Sequence, residues 1–384
     1  MIKAIDIFSG CGGVSCGLTR AGFKVKAAVD NEKKAVNVYL SYQPLSRVNV
    51  LMEDVHKVSA QKLLKISGLR KDDLYLFAGC PPCQNFSRQN TKNKEKSENQ
   101  RKELLFEFLR LIEEVNPPFI LMENVQGITS VFNQPILDEF EGRLEDKSKP
   151  LDKRYKIFAK VLNAANYGVP QVRMRFVLHA VRYDIYEELQ EANIPFDLPA
   201  ATHSKDEQDG LLPWITVSQA IGDLPAMNAG EHYIGEGIFN HKCAGLSPMN
   251  LERIQYIRAH GGSRTGLPER LVLECHKKKD REGNVFTGRK DVYGIMDPDK
   301  PSPTITGGCL CYSKGRYGHF EQDRAISIRE AARIQTFPDD FKFTDNLSDA
   351  ALQIGNAVPV KLVEASGKVI INAIRALLKA RRSK

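Results

Sequence analysis

Two cysteines separated by two prolines form the most reactive arrangement in this sequence of 384 residues. They lie in the segment Gly79-Cys80-Pro81-Pro82-Cys83-Gln84. A Cys-x-x-Cys spacing is typical of a redox dithiol or of half a zinc site. Two prolines fit the helix start of a redox dithiol poorly, and the other close pair, Cys309 and Cys311, lacks the spacing of zinc ligands. We therefore favour a rigid turn that presents one thiolate, Cys83, as a nucleophile, and we expect no metal.

A carboxyl group and two guanidinium groups could assist such a nucleophile. Glu123 follows the apolar run 119–122, and a carboxyl partly buried beside apolar residues can give or hold a proton. Arg173 and Arg175 alternate, so on a strand they point to one face and suit recognition of an anion or a carbonyl. Without Cys83 we would interpret Glu123 as a cap and the arginines as surface charges.

A glycine-rich loop and two isolated acids indicate a nucleoside ligand. The segment Phe8-Ser9-Gly10-Cys11-Gly12-Gly13 follows a predicted strand and precedes a predicted helix, so its backbone can approach a ligand closely. Asp30 is placed to accept hydrogen bonds from ribose hydroxyls, and Asp54 could accept them from an adenine amino group. An isolated acid is more often a helix N-cap. The three features together favour a dinucleotide or S-adenosylmethionine.

Short apolar runs alternate with helical patterns over the first 180 residues. The strand-like runs are 2–8, 25–29, 74–78 and 119–122, and the helix-like segments are 32–39, 59–66 and 101–115. This alternation predicts a parallel sheet with right-handed crossovers, whose ligands bind outside the carboxyl ends of the strands. The reactive groups would therefore converge on one edge. The polar stretch 88–101 predicts a mobile loop.

The alternation fades after residue 182, where Gly- and Pro-rich segments continue to about residue 320. Helical patterns return at 328–334 and 360–378. We expect a catalytic domain over 1–215 and 350–384, and a smaller irregular domain over 216–349. The stretch 242–316 holds 14 basic and 8 acidic residues of a chain with net charge +8, which fits a polyanion partner and a merely solvated face equally well.

The composition is that of a globular protein, with 42% hydrophobic and 27% charged residues. It excludes a disordered or collagen-like chain. No run approaches the ~20 apolar residues of a membrane span, and no leader segment is evident, so we expect neither secretion nor a membrane. The eight cysteines are then expected as free thiols in a reducing cytoplasm.

The order of these segments resembles that of the motifs of the DNA (cytosine-5) methyltransferases, over nearly the whole chain. Ser9 and Cys11 depart from the residues that the family often has, but the loop keeps its glycines. The matching segments are Asp6–Gly13, Asp30, Asp54-Val55, Gly79–Gln84, Glu123-Asn124-Val125, Tyr167–Gln171 running into Arg173 and Arg175, Arg329–Gln335, and Gln353–Val358.

The resemblance implies a Rossmann-like α/β sheet, S-adenosylmethionine as cofactor, and methyl transfer to C5 of cytosine in a specific double-stranded DNA sequence. Cys83 would add to C6, and Glu123 would donate or stabilise a proton at N3. Arg175 with Arg173 would hold the base oxygen O2 or a phosphate. The thiol cannot reach a stacked base, so the cytosine would be flipped out and covered by the loop 88–101.

Further residue roles follow from the same resemblance. The irregular domain would be the target-recognition domain. The implied protein is a cytoplasmic, nucleoid-associated bacterial monomer of a restriction-modification system, with a possible cognate restriction endonuclease. The implied cofactor contacts are Phe8, Gly10, Gly12, Asp30, Asn31, Asp54, Val55, Gly79, Pro81, Asn356 and Val358.

Three alternatives remain. The tRNA cytosine-5 branch of the fold carries a Cys-Phe-Thr tripeptide, which this chain lacks. A nucleotide-binding oxidoreductase with Cys80 and Cys83 as redox thiols leaves Glu123 and the two arginines unexplained. A catalytically silent DNA-binding relative is disfavoured because the whole reactive set is present.

Overall fold

A seven-stranded sheet forms the centre of the first of two units in the computed structural model. The structure describes residues 1–70, 72–82, 98–207, 210–264, 266–274, 277 and 292–383, and the side chains of 98–101 are not included. Cys83 and residues 88–97 of the predicted loop therefore lie outside the described residues. The first unit comprises Met1–Gly168, Arg173–Leu212 and Ala357–Lys384, and the second comprises Val169–Val172 and Pro213–Asn356.

The strands of the sheet are short, apolar and mostly buried. In chain order they are β1 (Lys3–Ile7), β2 (Lys24–Val29), β3 (Asn49–Leu51), β4 (Tyr75–Gly79), β5 (Phe119–Val125), β6 (Tyr155–Asn163) and β7 (Met174–Arg182). Their spatial order is β3-β2-β1-β4-β5-β7-β6. The first five are parallel, whereas β7 is antiparallel to both β5 and β6, so the sheet is mixed rather than parallel throughout.

The winding of the sheet changes direction between β1 and β4. The chain proceeds outward from β1 to β3 and then returns to the other side of β1 for β4. The loops that follow β1 and β4 therefore diverge, and an open α/β sheet binds its ligands at such a switch point. This topology places the glycine loop and the Gly79-Cys80-Pro81 segment on either side of one crevice.

The helices agree closely with the sequence patterns. The predicted helices 32–39, 59–66, 101–115, 328–334 and 360–378 correspond to five observed helices. Residues 98–101 begin one of them, so the end of the predicted loop is helical. The helices are α1 (Gly13–Ala21), α2 (Lys33–Ser41), α3 (Ala60–Ser67), α4 (Glu98–Val115), α5 (Gln134–Leu144), α6 (Tyr183–Glu191), α7 (Val217–Ile221), α8 (Pro248–Ala259), α9 (Ile328–Ile334), α10 (Leu347–Asn356) and α11 (Val360–Ser383).

Four further short strands lie outside the large sheet. They are β8 (His203–Ser204), β9 (Leu212–Pro213), β10 (His232–Gly235) and β11 (Ile238–Lys242), of which β10 and β11 form an antiparallel hairpin. Within the described residues, no helix combines the length and the apolar character needed to cross a membrane.

The second unit contains little regular structure and is organised around buried charges. Arg324 is fully buried and donates two hydrogen bonds to Glu330, at 2.8 Å and 2.7 Å. Glu330 also accepts one from the backbone N–H of Ser327, at the start of α9. Arg329 is buried as well and donates to the carbonyl oxygens of Phe239, Pro338 and Phe341. Guanidinium groups thus satisfy carbonyls that no sheet or helix pairs.

The unit bounds differ from those expected. The transitions fall after residues 212 and 356 instead of 215 and 349, and residues 169–172 belong to the second unit. The reason is that Val172 N–H donates to Ser302 O and Ser302 N–H to Pro170 O, which ties this segment to the irregular chain. Asn356 therefore belongs to the second unit, and Val358 to the first.

The Arg324–Glu330 pair gives a stability prediction. Glu330→Gln leaves the Arg324 guanidinium buried without a counter-charge, so we expect the free energy of unfolding to fall by about 3 to 5 kcal/mol. Urea unfolding of the full chain measures it. Glu321→Gln, an exposed carboxyl nearby, is the control and should change the value by less than about 0.5 kcal/mol. Equal losses in both variants would contradict the role given to this pair.

Candidate active site at the carboxyl edge of the sheet

The glycine loop after β1 is a strained turn that leads into α1. Phe8 has φ 62°, a left-handed conformation that non-glycine residues rarely adopt, and Gly12, the N-cap of α1, has φ 103°. A side chain at Gly12 would meet Tyr39 and Leu45 at 3.0 Å. Strain of this kind is maintained where the surrounding structure imposes it, often at ligand sites. The loop is mostly buried, with Phe8 and Gly10 partly accessible, so its approach to a ligand stays a prediction.

Asp30 joins the loops that follow β1 and β2. Its Oδ2 accepts a hydrogen bond from Gly10 N–H at 2.8 Å, and its Oδ1 accepts one from Glu32 N–H at 2.9 Å. Burial raises the pKa of Asp30 against these bonds. The carboxylate expected to bind ribose therefore already serves two backbone amides. Asn31, the next residue in the chain, is exposed.

Glu32 is a carboxylate at this edge that the sequence analysis missed. It is exposed and caps α2 by accepting a hydrogen bond from Lys34 N–H at 3.2 Å. A ligand hydroxyl can reach it more readily than the half-buried Asp30. The available signal was its position two residues after the end of a parallel strand, where side chains face the crevice.

Asp54 follows β3 and lies at the same edge. Its Oδ1 accepts hydrogen bonds from the backbone N–H of His56 at 3.1 Å and from the His56 ring at 2.6 Å. These bonds lower the pKa of Asp54, so it is a carboxylate at neutral pH. Val55, beside it, is buried in the core of the first unit. Asp54 can thus offer a fixed negative charge to a ligand.

The segment after β4 is held close to the sheet. A Cβ at Gly79 would lie 2.4 Å from the ring of Phe108, so only glycine fits there. Cys80 N–H donates to Ile7 O at 3.2 Å, and the fully buried Asn124 donates to Pro81 O at 3.4 Å. Asn124 therefore anchors the described part of this turn, and the rigidity of the whole turn stays a prediction.

Glu123 is a buried carboxyl paired with a guanidinium group. Its Oε1 lies 2.8 Å from Nε of Arg175, and both side chains are about nine-tenths buried. Burial raises its pKa, while the charges of Arg175 and Arg173 and a hydrogen bond with Cys80 oppose the rise. Glu123, Cys80, Gly79 and Val358 line one small cavity. Glu123 can therefore exchange a proton within this cavity.

The two arginines occupy different backbone environments. Arg175 lies in β7, whereas Arg173 precedes that strand and donates to Ala357 O at 3.2 Å. Arg173 lies one residue before the first residue of β7, and the expectation that both arginines point to one face stays a prediction. Both charges nevertheless act on Glu123.

The family model of the C-5 cytosine-specific DNA methylases matches residues 2–372. The chain belongs to this family. Type II methylase M.HgiDII of Herpetosiphon aurantiacus is 34% identical over 97% of this chain and 95% of its own length. Type II methyltransferase M1.HphI of Haemophilus parahaemolyticus is 33% identical over 96% of this chain and 86% of its own.

A solved structure agrees with this assignment. The crystal structure of a prophage-encoded E. coli protein assigned to the DNA modification methyltransferases superposes with a TM-score of 0.65. It has 25% sequence identity and covers 98% of this chain and 100% of its own. This methylase is therefore a DNA cytosine-5 methyltransferase with the α/β sheet of that enzyme class, and its family implies S-adenosylmethionine as methyl donor.

The bridging position of Asp30 gives a second stability prediction. Asp30→Asn retains one acceptor oxygen, so one of the two backbone amides loses its partner, and we expect a loss of roughly 1 to 3 kcal/mol. Chemical denaturation of the methylase measures this. Glu187→Gln, an exposed carboxyl on α6, should stay within about 0.5 kcal/mol of wild type. A wild-type stability in Asp30→Asn would show that the bridge does not matter.

Proposed function

We propose that this methylase transfers a methyl group to C5 of a flipped-out cytosine in a specific double-stranded DNA sequence, through a covalent bond between Cys83 and C6. The observation that carries the proposal is the buried Glu123–Arg175 pair beside the Gly79-Cys80-Pro81 turn, two residues before Cys83. The tRNA alternative is not favoured, because the family model is that of the C-5 cytosine-specific DNA methylases.

The residues at the crevice suit S-adenosylmethionine. Asp6 is fully buried in β1, two residues before Phe8, and its Oδ1 has no hydrogen-bond partner among the described residues. Burial raises its pKa to about 7. A buried acceptor of this kind needs a donor, which the ligand's ammonium group would supply. Glu32 and Asp30 with Asn31 would serve the ribose, and Asp54 and Val55 the adenine.

The remaining proposed contacts come from three segments. Phe8, in the glycine loop, would pack on the adenine, and Gly10 and Gly12 of the same loop would approach the cofactor with their backbone. Gly79 and Pro81 would contact it from the turn after β4, and Val358 from the segment before α11. Asn356 stays a prediction from the sequence, because it belongs to the second unit. When bound, S-adenosylmethionine supplies an electrophilic methyl group on its sulfonium.

Cys83 and Glu123 would divide the covalent and proton-transfer steps. The thiolate of Cys83 adds to C6, and the electron pair displaced from the C5–C6 bond makes C5 nucleophilic. Glu123 would hold the proton that neutralises charge on N3, for which its raised pKa is suited. After methyl transfer, loss of the C5 proton expels the thiolate and restores the ring.

Arg175 would hold both Glu123 and the base. Its Nε faces Glu123, and the guanidinium group has further donors that can reach a carbonyl such as O2 of cytosine. Arg173 would add positive charge for the base or a phosphate. The base must leave the duplex to reach this buried pair, and for this reason flipping is part of the proposal.

The second unit would read the DNA sequence. Within its basic stretch, Arg253 and Arg258 donate to backbone carbonyls and so serve the fold. Lys314 and Arg316 are exposed, and Arg316 lines a cleft of about 360 Å³ with Gly261 and Gly262. These exposed charges would contact phosphates. The Type II names of the relatives support a restriction-modification setting. A monomeric methylase and a separate endonuclease remain predictions from the sequence.

Sequencing of DNA from bacteria that express the methylase tests the proposed activity. After chemical deamination, cytosines in one sequence motif should resist conversion in cells with the wild-type protein. Cys83→Ala should abolish this protection, because the covalent step is lost. Cys80→Ala should keep a substantial part of it. Equally complete loss in both variants would favour a paired-thiol mechanism, and protection that survives Cys83→Ala would exclude the proposed one.

Glu123→Gln tests the proton role. We expect the single-turnover methylation rate to fall about 10²-fold or more, with little change in cofactor affinity. In the wild type the rate should fall as pH rises through the raised pKa of Glu123, because its proton is lost; the variant should lack this alkaline limb. A variant rate equal to wild type would reduce Glu123 to a structural partner of Arg175.

A further inference from the structure

His56 lies between two carboxylates in the first unit. Its Nδ1 is 2.6 Å from Oδ1 of Asp54, and its Nε2 is 3.2 Å from Oε1 of Glu103 on α4. The backbone N–H of His56 also donates to Asp54 Oδ1, at 3.1 Å. Asp54 and His56 belong to one short turn, since Asp54 is the N-cap of the 3-10 helix Val55–Lys57. Glu103 braces that turn from a helix 47 residues away in the chain.

This arrangement saturates one oxygen of Asp54 and leaves the other available. Oδ1 accepts both hydrogen bonds from His56, whereas Oδ2 has no hydrogen bond among the described residues. The Asp54 side chain is 48% exposed, so a ligand can reach Oδ2. The turn itself is fixed by Arg110, which donates to Val55 O and Val58 O at 3.1 Å each. Asp54 therefore presents one oriented acceptor oxygen.

We propose that His56, braced by Glu103, is a positioning residue that orients Asp54 toward the 6-amino group of adenine, and thereby makes the methylase prefer adenosyl over inosyl cofactors. The inference rests on the proposed function in one respect, that the adenine binds beside Asp54. An amino group donates to Oδ2, whereas the 6-oxo group of hypoxanthine is an acceptor and repels it. A freely rotating carboxylate would discriminate less.

The charges around His56 support its doubly protonated form. The hydrogen bond to Asp54 raises the pKa of His56, and the charges of Asp54, Glu107 and Glu103 add to it, against partial desolvation. Lys57 is the nearby basic group of the same turn, and Arg110 is neutralised by Glu107 and Glu114. As pH rises through the raised pKa, His56 loses one of its two protons. The brace to Asp54 or to Glu103 then weakens.

Binding of S-adenosylhomocysteine and S-inosylhomocysteine to the full chain, measured by calorimetry, tests the proposal. We expect the wild type to prefer the adenosyl ligand by about tenfold or more. His56→Ala should remove most of this preference by weakening adenosyl binding, with inosyl binding nearly unchanged. His56→Asn should restore it in part, since its amide can donate to Oδ1. Lys57→Ala, which removes a neighbouring charge, is the matched control and should keep the preference.

Two further arms complete the test. The wild-type preference should decline as pH rises through the raised pKa of His56, and Glu103→Ala should shift that decline to lower pH. An undiminished preference in His56→Ala overturns the inference, as does an equal loss of affinity for both ligands, which would indicate a structural role. Failure of the proposed function looks different, because the wild type would then bind neither ligand, or Asp54→Asn would leave the preference intact.

Discussion

A carboxyl group buried at the end of a central strand needs a counter-charge, and the antiparallel strand of the mixed sheet supplies it. Glu123 lies near the carboxyl end of β5, and Arg175 lies near the beginning of β7. Because β7 is antiparallel to β5, its first residues lie beside the last residues of β5, and Arg175 pairs in register with Val125. A parallel β7 would begin at the opposite edge and leave Glu123 without Arg175. The reversed strand thus creates the site.

Many polar groups at the crevice are already used by the protein itself. Asp30 bridges two backbone amides, Asn124 holds Pro81, and His56 occupies one oxygen of Asp54. Such bonds fix loops that would otherwise have to be ordered when a ligand binds, at an entropic cost. The groups left for a ligand are fewer than the motifs suggest. They include the second oxygen of Asp54, which has no hydrogen bond among the described residues.

The second unit uses basic residues for its own fold. Arg324 and Arg329 are buried, and Arg258 donates to the carbonyl oxygens of Phe320, His319 and Gln322. An irregular chain has many carbonyls without strand or helix partners, and a guanidinium group with five donors can satisfy several at once. A net charge counted from the sequence therefore overstates the charge available to a polyanion. Exposed residues such as Arg316 are the ones that remain.

The sequence by itself determined four strands and five helices, and the family. These features depend on local patterns. Apolar runs predicted the strands, and helical periodicity predicted the bounds of α2, α3 and α9 to within two residues. Gly79 is glycine because its backbone lies close to the ring of Phe108. Tertiary structure alone decided which partners these groups take. The reversal of β7, the use of Asp30 by backbone amides and the pairing of His56 with Glu103 join segments far apart in the chain. Such contacts depend on how elements pack, which no local pattern encodes.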